Sequence, residues 1–293
     1  MIVRRHFDIP LASGRLLELG RRPLVMGILN ITPDSFAESR PAGNAGPRDA
    51  IERALAMEAA GADLIDIGGE STRPGAEPVD AQTELARIMP VIEALRGRLH
   101  APISVDTYKA VVADAALDAG AQMVNDVSGL LYDPELGAVA ARRRVPIVLM
   151  HTRGRSKNMY GEARYADLVG EITAELRARV DAAVAAGVPR VSIVVDPGVG
   201  FAKRAPHSYG VLARLPELAA ALDLPMLVGP SRKSFLRDAA GGADAPGRDW
   251  ATAAAVTAAV LGGAHILRVH AVGPMVQVVR AAEEIFQARC QTH

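Results

Sequence analysis

The chain has almost no cysteine. Its single thiol, Cys290, stands three residues from the end of a 293-residue sequence, which excludes a disulfide framework and a cysteine-built zinc site and fits the reducing cytoplasm. An excess of one charge is missing as well: Lys plus Arg and Asp plus Glu both number 33, for a net charge of zero. No global field draws the chain to nucleic acid or to an anionic membrane, so neither is expected as a partner. Long apolar runs are also absent. No stretch reaches the roughly 20 residues of a membrane span, and MIVRRHFDIPLASGRLLEL lacks the apolar core of about 7 to 15 residues that an export signal carries. These absences point to a soluble, unexported, cytoplasmic protein whose partners must be argued from a local site.

What remains is globular: 49% of residues are apolar and 23% charged. A short apolar or β-branched run, a polar or Gly-rich loop and an Ala/Leu-rich helical segment alternate along the chain. Eight runs recur, at Leu24–Leu29, Leu64–Ile67, Ile103–Val105, Met123–Val124, Ile147–Met150, Val191–Val195, Met226–Val228 and Ile266–Val269. Between the first two, AIERALAMEAAGAD places Ile51, Leu55, Met57 and Ala59 along one side of a helix ending at Gly61, and the same glycine stop recurs at Gly120, Gly187 and Gly262–Gly263. Such βα alternation demands a parallel sheet with right-handed crossovers, and eight units match a closed (β/α)8 barrel better than an open doubly wound sheet. The chain is read as one barrel domain over 1–293. Ser13-Gly14, within 1–22, predicts a hairpin closing the barrel's N-terminal end. Loops over 32–48 and 68–79 are long enough to be lids, and 241–247, GGADAPG, is expected to be a disordered surface connection.

Polar residues close six of these runs: Asn30 in GILNITPDSF, Asp106 in ISVDT, Asn125 in MVND, Asp196 in IVVDPG, Arg232 and Lys233 in LVGPSRKSF, and Arg268 with His270 in ILRVH. Parallel strands bring such residues to one rim, the face where barrel active sites sit. Any one of them alone is better explained as a turn former or helix N-cap, and Asp63 and Asp126 are read that way. Six together predict a polar site. Asp106 and Asp196 offer acceptors for an aminopyrimidine edge, Asn125 donates and accepts, and Lys233 donates, a set matching a flat heterocycle. Asn30, Arg268 and His270 suit a phosphate with Mg²⁺, which binds through few protein oxygens plus substrate phosphates.

The motifs GILNITPDSF, DIGGESTRPGA, SVDT, NDVSG, MH, DPGVGFAK, SRKSF and RVH, from about Met26 to Arg280, resemble those of the dihydropteroate synthase family. The resemblance implies a pterin-binding barrel joining 4-aminobenzoate to 7,8-dihydropterin-6-ylmethyl diphosphate, with sulfonamides as competitors. It implies Asp106, Asn125, Met150, Asp196 and Lys233 around the pterin, and Thr72, Arg73, Pro74, Phe201 and Ser234 around the aminobenzoate. Asn30 is implied as the Mg²⁺ ligand and part of the diphosphate site with Arg73, Arg268 and His270. Asp34, on the first loop, is implied to act with Lys233, Arg268 and His270 in catalysis. A homodimer through C-terminal helices is also implied, and Ala253–Ala264 is small and apolar enough for it.

This chain departs from many relatives in reading RVHAV for RVHDV and GFAK for GFGK, and in continuing its first loop as AESRPAGNAG. Ala271 thus removes a carboxylate beside Arg268 and His270, and Ala202 adds a methyl beside Phe201. Three alternatives stand beside the synthase: a corrinoid-linked methyltetrahydrofolate methyltransferase, a silent pterin-binding paralogue, and a Schiff-base aldolase using Lys203 or Lys233.

Overall fold

The computed structural model describes residues 4–32, 46–72, 75–155 and 159–291. An antiparallel hairpin comes first, β1 (Phe7–Pro10) and β2 (Leu16–Leu19), turning at Gly14 with φ near +80° as Ser13-Gly14 predicted. Eight parallel strands follow: β3 (Leu24–Asn30), β4 (Leu64–Gly68), β5 (Ile103–Asp106), β6 (Met123–Asp126), β7 (Ile147–Met150), β8 (Ile193–Asp196), β9 (Leu227–Val228) and β10 (Ile266–Val269). They pair in chain order from β3 to β8, with β10 between β3 and β9. A parallel bridge from Val195 to Met226, with Val195 N donating to Pro225 O at 2.9 Å, joins β8 to β9 and closes the barrel.

Helices cover the outside: α1 (Pro47–Ala59), α2 (Ala81–Leu95), α3 (Ala110–Ala119), α4 (Glu135–Arg143), α5 (Leu168–Ala185), α6 (Ala205–Ala213), α7 (Leu215–Leu222), α8 (Asp249–Leu261) and α9 (Val272–Gln291). The buried side of α1 differs from the expected one. Ala50 and Ala54 are buried, Ile51, Leu55 and Met57 pack at the margin, and Ala59 is exposed, because small residues let the helix approach the strands most closely. No described helix is long and apolar enough to cross a membrane.

Side chains alternate across each strand, so the core divides in two. Outward residues such as Ile65, Ile67, Val105 and Leu149 pack under the helices. Inward residues at the strand starts, among them Leu24, Leu64, Met123, Val194 and Ile266, form a second cluster with Ile9, Leu11, Leu17 and Leu19 of the hairpin. The hairpin therefore plugs the N-terminal end, each buried aliphatic side chain contributing about 2 kcal/mol.

Candidate active site

Two residues farther along the same inward rows, the side chains become polar. Leu64 is followed by Asp66, Met123 by Asn125, Val194 by Asp196 and Ile266 by Arg268, so the period of two that buries the barrel floor also stacks a polar layer above it. Arg268 Nε donates to Asp66 Oδ2 and its Nη2 to Asp106 Oδ2, both at 2.6 Å, while Asn125 Nδ2 donates to Asp66 Oδ2 at 2.9 Å. Asp66 is fully buried, and Asp106, Asn125 and Asp196 nearly so. Asp66 was missed in the sequence although it stands inside the run LIDIG. The available signal was its parity: a charged residue two after an inward Leu faces the lumen.

Three carboxylates thus stand against two cations, Arg268 and Lys233. Burial pushes Asp106 above the usual carboxylate range, opposed by Arg268 and reinforced by Asp66. Burial lifts Asp196 to about 6, although Gly198 N donates to its Oδ1 at 2.7 Å. Lys233 is pushed down to about 7 by burial and by Arg268, against the pull of Asp196 and Asp106. Its Nζ lies 3.7 Å from the centroid of the Phe201 ring. A ligand that donates N–H groups to the carboxylates and accepts from Lys233 would restore the solvation these ions have lost.

A cleft of about 880 Å³, including its open mouth, adjoins this cup and is lined by Asn30, Thr72, Phe201, Ser234, Arg268 and His270, among others. Ser231 Oγ holds His270, contacting its backbone N at 3.1 Å and its Nδ1 at 2.9 Å. Arg268 reaches both regions: it lines the cleft while two of its five N–H donors engage the cup carboxylates. Asp34, Arg73 and Pro74 lie outside the described residues.

Several other residues are scaffold. Arg232, at φ +57°, gives its guanidinium to Asp249 in two bonds of 2.7 and 2.8 Å and takes Thr252 Oγ1 on its N–H, which shapes the loop presenting Lys233. The 241–247 connection, expected to be a disordered surface connection, is tied to that loop. Arg248 donates to Ala243 O at 2.9 Å and to Arg232 O at 3.0 Å, and Ala245 lines the cleft. Asp126 accepts from Ser128 N, Ser128 Oγ and Leu130 N, and Asp63 from Val25 N, so both are structural as read.

Behind Met150 and Phe201 lies a buried polar cluster. Lys203 Nζ is 2.8 Å from His151 Nδ1 and donates to Phe201 O at 3.1 Å, while His151 Nε2 is 3.1 Å from Glu175. Arg179 donates to the carbonyls of Met150 and Thr152. Gly198 lets the β8 loop close on this cluster: at φ +67° a Cβ there would lie 2.0 Å from His151 O. Lys203 is a brace facing away from the cleft, which removes the basis for an aldolase built on it.

The residues 26–270 match the family model described as pterin binding enzyme. A dihydropteroate synthase of Synechocystis is 47% identical over 283 residues, covering 96% of this chain and 97% of that protein. The chain belongs to the dihydropteroate synthases. This membership sets the methyltransferase aside. Among solved structures, the Xanthomonas albilineans dihydropteroate synthase with 4-aminobenzoic acid is 40% identical, at a TM-score of 0.85 over 94% of this chain and 98% of that one. The Burkholderia cenocepacia dihydropteroate synthase complexed with 7,8-dihydropteroate is 40% identical, also with a TM-score of 0.85, over 97% and 98%.

Against that family the two alanine departures acquire a physical meaning. Ala271 O accepts from Met275 N at 3.1 Å, so Ala271 occupies the N-cap of α9, where an aspartate could accept from the N–H of Gly273, Pro274 having none to offer. Ala271→Asp is expected to raise unfolding free energy by about 1 kcal/mol in a urea titration. Ala202 sits at φ +47°, in the left-handed region, with its methyl buried beside Met150, Met159 and Phe201. Ala202→Gly would relieve about 1 kcal/mol of backbone strain and forfeit about 0.8 kcal/mol of burial, so stability is expected to hold. The KM for 4-aminobenzoate is expected to rise as Phe201 loosens, and an unchanged KM and sulfonamide inhibition constant would contradict this.

Proposed function

We propose that the rim of this chain divides the synthase reaction between two ends: 7,8-dihydropterin-6-ylmethyl diphosphate and 4-aminobenzoate give 7,8-dihydropteroate and diphosphate. The pterin occupies the cup, donating its amino and ring N–H groups to Asp106 and Asp196, meeting Asn125 at its edge and accepting from Lys233, with Met150 against the ring. Asp66 takes no ligand in this reading; it fixes Arg268 and Asn125. The supporting observation is the inward polar layer, in which buried acceptors outnumber cations beside a cleft edged by Arg268 and His270.

At the cleft, the C–O bond to diphosphate breaks and its electron pair leaves with the diphosphate. Arg268, His270 and Arg73 bear on that growing charge, and Asp34 acts with them. The pterin ring delocalises the cation left on the methylene carbon, and the carboxylates below it favour that charge. Thr72, Pro74, Phe201 and Ser234 hold 4-aminobenzoate so that its weakly nucleophilic amine attacks the carbon and releases a proton. Sulfonamides compete for the same walls.

Asn30, half-buried at the end of β3, offers a hard neutral oxygen at the cleft, and among the described residues no group of three or more His, Cys, Asp or Glu is placed to hold a metal. That donor set fits Mg²⁺ held by Asn30 together with diphosphate oxygens and water. Bound there, Mg²⁺ would neutralise leaving-group charge. The reading extends to a cytoplasmic homodimer through the outer face of α8 and α9, where Trp250 and Ile285 are exposed.

A coupled assay of diphosphate release, with Mg²⁺ and the pterin diphosphate, tests the reading. Release that depends on 4-aminobenzoate is expected. Pterin binding without release in its presence would mark a silent pterin-binding protein and overturn it.

A further inference from the structure

Met159 and Tyr160, which follow β7 in the chain, reach the turn that follows β9. Met159 is buried in a cluster with Val127, Met150, Phe201 and Ala202, and the Tyr160 ring packs against that cluster. From this anchorage Tyr160 Oη comes within 2.8 Å of Ser234 Oγ, the first residue of the turn Ser234–Leu236 that follows Lys233. Two hydroxyls in contact share one hydrogen between them and leave the second for another acceptor. Whichever oxygen donates, the pair presents one free O–H, and the bond already made polarises it. Ser234 lines the cleft, and Lys233 stands next to it with its Nζ over Phe201. A hydroxyl pair with a single outward donor beside an ammonium is suited to an anionic acceptor.

We propose that Tyr160 is a specificity-determining residue of the aromatic-amine site, acting with Ser234 as one unit that binds the acid group of 4-aminobenzoate. This rests on the assignment of Ser234 to the aminobenzoate site. The pair also sets how far the acid group sits from Phe201, because Tyr160 is anchored by the same cluster that holds the ring. Tyr160 is legible only in three dimensions: it lies 74 residues from Ser234 in a segment without periodicity.

Steady-state kinetics of Tyr160→Phe, Ser234→Ala and the double variant test this. Phenylalanine keeps the ring in the cluster and removes only the hydroxyl, and a thermal melt verifies that the fold is retained. Tyr160→Phe is expected to raise the KM for 4-aminobenzoate about five- to tenfold, the loss of one charge-assisted hydrogen bond, while the KM for the pterin diphosphate stays within twofold. The double variant is expected to be no worse than Ser234→Ala alone, since either change breaks the unit. An unchanged KM for 4-aminobenzoate in Tyr160→Phe, or two effects that simply multiply, would overturn the proposal. Wild-type protein that releases no diphosphate in the same assay would instead overturn the synthase assignment of the site, so the two failures are distinguishable.

Discussion

Arg268→Met is expected to lower turnover by about 10³-fold or more and to cost about 3 kcal/mol of stability, because one side chain compensates two buried carboxylates. In the parent, Arg268 lies 2.6 Å from both Asp66 and Asp106. Methionine fills similar volume but leaves both acids without their hydrogen-bonded cation in a site that has already stripped them of water. Truncating one partner of a buried ion pair costs more than the pair contributes, since the uncompensated charge remains. For a chain of this size the loss corresponds to a fall in melting temperature of about 6–12 °C. It should also depend on pH in a definite direction. Asp106, whose folded-state pKa burial raises, weighs on the fold only when ionised, so the deficit of the variant should grow as pH rises and shrink as pH falls and Asp106 takes up its proton. Arg268→Lys, which keeps the charge but cannot span both carboxylates, should fall between. A melting shift under 2 °C together with turnover within tenfold of the parent would show that the two acids do not depend on this residue.

Asp196→Asn is expected to reduce kcat/KM for the pterin diphosphate about 100-fold and to change the shape of its pH profile. Asp196, lifted to about 6, offers two charge-assisted acceptors to a donor ligand only when ionised, and Lys233, lowered to about 7, is a cationic donor only below that value. The free enzyme therefore has both groups charged over a narrow range. The profile should be a bell that falls on the acid side as Asp196 is protonated and on the alkaline side as Lys233 loses its proton. The two titrations are linked through Asp106 and Arg268, so the flanks belong to the cup as a whole. Asparagine cannot ionise, so the acid flank of the variant should lose the part that Asp196 supplies and keep the part due to Asp106, whose carboxyl burial lifts to about 7, while the alkaline flank remains. A parent profile without curvature between pH 5 and 9, or an acid flank of the same shape and position in Asp196→Asn, would contradict this account.

Much of this molecule was legible before its coordinates. All eight apolar runs became barrel strands, with differences of a few residues at their ends, because a strand buried on both faces leaves a continuous apolar run bounded by loops. The hairpin followed from one turn signal. The polar strand ends were visible for the same reason: Asp106, Asn125, Asp196 and Arg268 each close or interrupt a run that has no other use for charge. Asp66 escaped because a residue inside a run reveals its direction only once the register is known. The tie between 241–247 and Arg232 escaped because glycine-rich composition indicates conformational freedom and says nothing about hydrogen bonds made by Arg248 just beyond it.

The sequence alone determined the architecture and the residues available at the rim, since strand periodicity, glycine stops and the alternation of β and α segments are local properties that neighbouring residues enforce. Which rim residues touch was decided by the tertiary structure. Arg268 lies 202 residues from Asp66 and 162 from Asp106, and Tyr160 lies 74 from Ser234. Closing the barrel set the register that puts Asp66 beneath Arg268, and with it the excess of buried carboxylates that an N–H-rich heterocycle is suited to fill. Periodicity records which way a side chain faces relative to its own neighbours in the chain. What it faces across the lumen depends on the stagger of eight strands, which no single segment encodes.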